Sequence, residues 1–194
     1  CNPEALHQMR IALRRLRATL SALGRMLPPL QRRALSQEMR WLAGVLGEAR
    51  NLDVFETALI RPASAELPRR TALRSLARAA KRRRRDAYNA VKRALRSRRY
   101  TALILRLARW FDSRGWSSSE AATDLKRPLD EIAPAVLERR RRNARKCGRH
   151  LRRQSPEQRH QLRIALKKLR YTGELLGSLY RSEEHTSELQ SRFG

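Results

Sequence analysis

Apolar residues recur at three- and four-residue intervals from Leu6 through Met9, Leu13, Leu16, Leu20 and Leu23 to Leu27. That rhythm predicts a helix with a single packing seam. Asn2 is a suitable N-cap and Pro3 a suitable first helical residue, and Pro28-Pro29 stops the pattern after Leu27. A second helix is expected over about 31–48, with Leu35, Met39, Leu42 and Leu46 on one face. Asp53 reads as the cap of a short helix to Ile60, and Pro62 and Pro68 bracket a linker. A long helix over about 69–96 places Leu73, Leu76, Ala80, Ala87, Val91 and Leu95 inward, and Ser97 caps another from Arg98 to Asp112. The Ser/Gly stretch Ser113–Glu120, with Trp116, marks a boundary between halves of about 3–112 and 124–180. Helices then run from about Pro128 to Cys147-Gly148 and from Ser155-Pro156-Glu157 to Tyr180. No stretch alternates as a strand does, so the fold class is all-α.

The polar positions carry a repeat. His7–Arg17, HQMRIALRRLR, returns as HQLRIALKKLR at His160–Arg170, with eight of eleven positions identical and an offset of 153 residues. The same offset aligns Pro3-Glu4 with Pro156-Glu157. One step behind the seam, His7, Arg10, Arg14 and Arg17 form a second stripe, turned about 100° around the helix. In the second copy the seam is Leu162, Leu166, Leu169 and Leu176, and the stripe is His160, Arg163, Lys167 and Arg170. Neither copy contains an Asp or Glu. A solvated helix face ordinarily mixes both signs, because i,i+4 pairs relieve repulsion. Four cations on an acid-free stripe raise the energy of the folded state until an anion neutralises them.

Composition extends that inference to the whole chain. The 194 residues carry a formal net charge of +27, and only six of the 45 basic residues are Lys. Arginine offers a planar fork of donors matched to phosphate oxygens. A GC-rich genome explains some of the arginine but not the 18 acidic residues. The expected partner is a polyanion: nucleic acid, an anionic membrane surface or a phosphate polymer. Cys1 and Cys147 have no metal-ligand spacing and form no disulfide framework. No apolar run approaches membrane-span length, since Arg106 and Arg109 interrupt Thr101–Phe111. No signal peptide is visible, which reads as cytoplasmic. A start at Cys1 within the approach to a helix predicts further chain upstream.

The texture changes after Tyr180. Arg181–Ser191, RSEEHTSELQS, is acidic and aperiodic, and matches one reading frame of a common sequencing adapter. Residues 181–194 are therefore expected to be a non-native tail, without which the charge is +28. If the second half mirrors the first, the partners of its repeated helix are missing, and Leu162, Leu166 and Leu169 should be partly uncovered.

The repeated H-x-x-R-x-x-x-R/K-R/K-L-R resembles the CHAD family, the conserved-histidine α-helical domain. Arg40–Phe55, RWLAGVLGEARNLDVF, is similar to that family's L-G-x-x-R-D-L-D-V segment, with Asn51 where Asp is commoner. Lys167–Tyr171 and the Arg-rich Glu138–Arg153 also resemble it, so the likeness spans about 3–180. The resemblance implies two pseudo-symmetric antiparallel helical bundles around a basic cavity, the second bundle incomplete here. It implies binding of inorganic polyphosphate, often at intracellular polyphosphate granules. Some relatives carry an upstream CYTH-type triphosphatase domain, of which this chain contains nothing. By position, the implied polyphosphate contacts are His7, Arg10, Arg14, Arg17, His160, Arg163, Lys167 and Arg170. Arg50 joins them, with Asp53 capping or orienting it. Arg40, Arg82, Arg85, Arg139 and Arg142 are weaker candidates, because neighbouring basic residues could substitute in register.

The chemistry of these residues suits that ligand. A phosphate chain offers charge and oxygens but no bases, so a binder needs only cations and donors along a groove. Readers of single-stranded nucleic acid add stacking aromatics. Aromatics are 5% of this chain and none lies in the first stripe. His7 and His160 read equally as phosphate contacts and as neutral packing residues. The run Lys81–Arg85 points around its helix and reads chiefly as a solvated face. No Gly-rich phosphate loop, paired-carboxylate metal site or Cys–His nucleophile is present, so no enzyme, metal or cofactor is expected. A nucleic-acid-binding basic bundle is the alternative reading, and a membrane-surface or scaffold role is the third.

Overall fold

The structure is a computed structural model that describes residues 2–67, 70–117 and 126–192, with side chains in the last stretch as far as residue 177. Among these residues there are helices and no strands. The helices are α1 (Pro3–Ala22), α2 (Pro29–Phe55), α3 (Arg61–Glu66), α4 (Thr71–Leu95), α5 (Arg98–Asp112), α6 (Leu129–Cys147) and α7 (Pro156–Arg192). A π-turn, Glu56–Ile60, continues α2 into α3, and a 3-10 turn, Leu151–Arg153, lies between α6 and α7. The all-α class stands.

The starts of the two repeated helices follow from local chemistry. The Asn2 side chain accepts the Glu4 backbone N–H at 2.9 Å. Ser155 Oγ accepts the Gln158 N–H at 3.3 Å, and Gln158 returns the bond to the Ser155 N–H at 2.9 Å. That reciprocal pair is a capping box and satisfies two donors that a helix start leaves open. Ser97 caps α5 by accepting the Tyr100 N–H at 3.2 Å.

Four boundaries differ from expectation. The first helix ends at Ala22, not at Leu27, although Leu23 and Leu27 keep the apolar rhythm. Its final carbonyls bind guanidinium groups from α6: Arg139 Nη2 donates to the Ala22 carbonyl at 2.6 Å, and Arg140 Nη2 to the Ser21 carbonyl. Arg140 also reaches Ser21 Oγ at 2.7 Å. External donors complete the helix end, so the chain turns at Gly24. Secondly, α2 runs unbroken to Phe55, and Asp53 is a buried residue within it rather than a cap. Thirdly, Pro62 lies in the first turn of α3, which the π-turn joins to α2, so the linker is shorter than Pro62–Pro68. Fourthly, α7 continues past Tyr180 to Arg192, through residues that include no Gly or Pro after Gly177.

The chain divides into two compact units. The first comprises Cys1–Arg14 and Arg33–Arg114, the second Arg15–Arg32 and Gly115–Gly194. In the first, Leu6, Leu13, Leu35, Met39, Leu42 and Leu46 are buried, with Ala80, Ala87 and Val91 from α4 and Leu103 from α5. Leu76 departs from its inward assignment and is 48% exposed. Arg99 of α5 grips α2: it donates to both Glu38 oxygens at 2.6 and 3.2 Å and lies 4.2 Å over the Trp41 ring. The bond to Arg99 holds the Glu38 carboxyl below its usual value near 4.5. A carboxyl depressed on folding stabilises the fold above its unfolded value, so this contribution fades as pH falls below about 4.5.

In the second unit α6 and α7 pack as a helical hairpin. Ala22, Ile132, Ala133, Val136 and Leu176 form its core, flanked by Met26 and Leu137. Burial holds the guanidinium groups of Arg139 and Arg140 below the usual arginine range, with further depression of Arg139 by Arg25 and of Arg140 by Arg139. Replacing Arg140 with Met leaves the Ser21 carbonyl without its donor. The expected loss is about 1–2 kcal/mol of unfolding free energy, measured by urea denaturation.

Candidate binding surfaces

The first stripe lies on α1. Its His7 and Arg10 side chains are half-buried, and Arg14 and Arg17 are exposed. Three of the four, His7, Arg10 and Arg14, belong to the first unit, and Arg17 to the second. Arg10 is held against α2 at Gly47. A Cβ built on that glycine would meet Arg10 Nη1 at 3.1 Å, closer than ordinary contact. The glycine of the L-G-x-x-R segment thus gives the Arg10 guanidinium room to lie on the α2 backbone. Arg50, three residues on from Gly47, is half-buried, and Arg40 is exposed on the same helix.

The second stripe lies on α7. His160, Arg163, Lys167 and Arg170 are all exposed. Arg163, Lys167 and Arg170 share a surface groove of about 280 Å³ with Arg159, Leu162 and Leu166. His160 is not among its lining residues. Leu166 is 50% exposed, and Leu162 and Leu169 are half-buried, as expected for this seam. Leu6, Leu13 and Leu20 on α1 are buried instead. Arg170 also pairs with Glu174 at 3.3 Å and lies 4.9 Å from the Tyr171 ring centre.

A further cationic surface follows α4. A groove of about 490 Å³ is lined by Arg78, Lys81, Arg82, Arg84, Arg85, Tyr88, Asn89 and Lys92. The spacing of Arg78, Arg82, Arg85, Asn89 and Lys92 keeps them on one side of the helix. The candidates Arg82 and Arg85 are therefore part of a surface, not isolated members of a basic run. Of the other candidates, Arg139 is tied to the Ala22 carbonyl, and Arg142 pairs with Glu138 at 3.5 Å.

Asp53 anchors one edge of the α4 groove. It is 4% exposed, and its two oxygens accept Arg84 Nε and the Tyr88 hydroxyl, each at 2.7 Å. The Arg84 guanidinium carbon lies 4.9 Å from the Tyr88 ring centre. Burial opposes the charge on Arg84, but its bonds and attraction to Asp53 outweigh this and hold it above the usual arginine range. Burial, reinforced by Asp53, pushes the Tyr88 hydroxyl up to about 12. Both Asp53 oxygens bond to α4, and among the described residues no hydrogen bond or ion pair joins Asp53 to Arg50. Arg84, Tyr88 and Gly47 were not singled out in the sequence. The i,i+4 spacing of Arg84 and Tyr88 was visible, but nothing local linked them to Asp53 on another helix.

Among the described residues no group of three or more His, Cys, Asp or Glu could hold a metal ion. No helix among them is long and apolar enough to cross a membrane.

A family model described as the CHAD domain matches residues 1–192. The crystal structure of the CHAD domain from the plant Ricinus communis matches with a TM-score of 0.67 and 29% sequence identity. The match covers 91% of this chain and 56% of that one, so this chain spans little more than half the length of that relative. No curated protein matches it. An all-helical fold, a repeated basic helix and a family match across nearly the whole chain lead to one conclusion: this chain belongs to the CHAD domain family.

Proposed function

We propose that this chain binds inorganic polyphosphate, through His7, Arg10, Arg14, Arg17 and Arg50 in its first part and His160, Arg163, Lys167 and Arg170 on α7. The observation that carries the reading is the recurrence of an acid-free cationic stripe, three members of which line one groove on α7. Arginine forks and lysine ammonium groups neutralise a phosphate chain without reading any base. The scarcity of aromatics favours bare phosphate over single-stranded nucleic acid. Binding rather than catalysis is the role, with the cytoplasm and polyphosphate granules as its place.

Competition separates this reading from the nucleic-acid one. Long-chain polyphosphate is expected to displace duplex DNA of equal total charge, and to bind more tightly at the same ionic strength. The logarithm of affinity should fall with the logarithm of salt by about 0.7–0.9 per neutralised phosphate. Equal or tighter binding of DNA contradicts the proposal.

Gly47 gives a more local test. Gly47→Ala should gain up to about 1 kcal/mol of helix stability, because alanine suits a helix interior better. The added methyl requires the Arg10 guanidinium to give way by a few tenths of an ångström. Thermal unfolding should therefore shift upward while polyphosphate affinity drops. Unchanged affinity would mean that the placement of Arg10 on α2 does not matter to binding.

A further inference from the structure

We propose that the groove along α4 is a binding surface for an extended phosphate chain, and that Asp53 is a positioning residue that fixes Arg84 within it. The inference rests on the polyphosphate reading and extends it to an element that carries neither repeat. Arg78, Lys81, Arg82, Arg85 and Lys92 line the groove, and among the described residues none of them has a carboxylate within ion-pair distance. Elsewhere, exposed arginines such as Arg99 and Arg141 are paired with Glu38 and Glu138. Like charges left together on one helix face favour an anion that can neutralise several at once. From Arg78 to Lys92 the helix rises about 21 Å, at roughly 1.5 Å per residue. An isolated phosphate meets one or two of these cations, whereas a linear polymer meets them all.

Arg84 differs from its neighbours in being fixed. Its Nε is bound to Asp53, its guanidinium lies against the Tyr88 ring, and its side chain remains 32% exposed at the groove. The second Asp53 oxygen holds the Tyr88 hydroxyl, so one buried carboxylate sets both the edge and the face of the fork. A donor held in place before the ligand arrives loses less side-chain freedom on binding. Asp53 touches no ligand; it acts through Arg84.

The sign of one substitution separates positioning from bulk charge. Asp53→Asn raises the net charge by one, so a purely electrostatic effect would tighten polyanion binding. Loss of positioning should instead weaken long-chain polyphosphate binding by about tenfold and lower the salt slope by about one. Tyr88→Phe keeps the buried ring and removes only the hydroxyl, and should weaken binding by about threefold. It carries the test if Asp53→Asn does not fold, as judged by helical circular dichroism. Arg82→Glu with Arg85→Glu should cost at least about tenfold. Silent groove reversals overturn the surface, and folded Asp53 or Tyr88 variants that bind as tightly as the parent, or more tightly, overturn the positioning role. If Arg10→Glu and Arg163→Glu weaken binding while every groove variant is silent, only this inference fails. If the parent chain does not bind long-chain polyphosphate, the functional reading fails and this inference falls with it.

Discussion

Reversing Arg10 and Arg163 together to glutamate is expected to lower polyphosphate affinity about a hundredfold. A charge-assisted contact with a phosphate contributes about 1.5 kcal/mol, so two lost contacts amount to about 3 kcal/mol, or two decades in Kd. Each single reversal should give about one decade. Titration at fixed ionic strength measures the effect, and the salt slope should fall by about one for each contact removed. Arg61→Glu supplies the control for net charge: Arg61 is exposed on α3 and lies in neither stripe and in neither the α4 nor the α7 groove. An equal loss there would reduce the stripes to bulk electrostatics. Silence of both Arg10→Glu and Arg163→Glu would remove them from the site.

Asp53→Ala should cost about 3 kcal/mol of stability, a large share of the roughly 5–15 kcal/mol that holds a typical domain together. The substitution strands the Tyr88 hydroxyl in the core and leaves Arg84 with only its looser pair to Glu56 at 3.8 Å. Because Arg84 keeps a third of its side chain in water, the cost lies at the low end of the range for breaking a buried ion pair. A chemical denaturation series measures it; a loss under about 0.5 kcal/mol, the level of an ordinary surface substitution, would contradict the anchoring role. The phenol adds a pH signature. Tyr88 is pushed up to about 12, so the folded state favours its neutral form. That stability is complete below the ordinary phenol value near 10 and is lost as pH rises through about 12. With Asp53 removed, burial alone holds the phenol up, and tyrosinate absorbance should rise at lower pH than in the parent.

Much of the fold was legible where its causes are local. Asn2 and Ser155 cap the repeated helices because their side chains reach donors two or three residues away. The seams of α1 and α2 were legible because apolar residues at helical spacing favour burial together, as Leu6, Leu13, Leu35 and Leu46 do. What could not be read depended on distant residues. Leu23 and Leu27 extend the apolar rhythm of α1, yet the helix stops where Arg139 and Arg140, more than a hundred residues later, bind its carbonyls. Asp53 resembled a cap, because aspartate favours that role. Its actual partners lie 31 and 35 residues away on α4. The site divides in the same way. Spacing and the absence of acids picked out Arg163, Lys167 and Arg170, which line one groove. Gly47 was visible as a residue type, but the guanidinium that needs its missing side chain lies on another helix.

The interleaving of the two units sets a limit on how the protein can be dissected. Neither unit is one continuous stretch: the second takes Arg15–Arg32 from within the span that otherwise builds the first. A cut at residue 117 would leave the downstream fragment without Ser21 and Ala22, to which Arg139 and Arg140 are bonded. Expressed alone, that fragment would present unpaired guanidinium groups and an uncovered core at Val136 and Leu176. A protease nick at the same point in the folded protein leaves those bonds in place. Two polypeptides could then stay joined without a covalent link, and separately made fragments would be expected to reassemble by complementation rather than behave as independent domains.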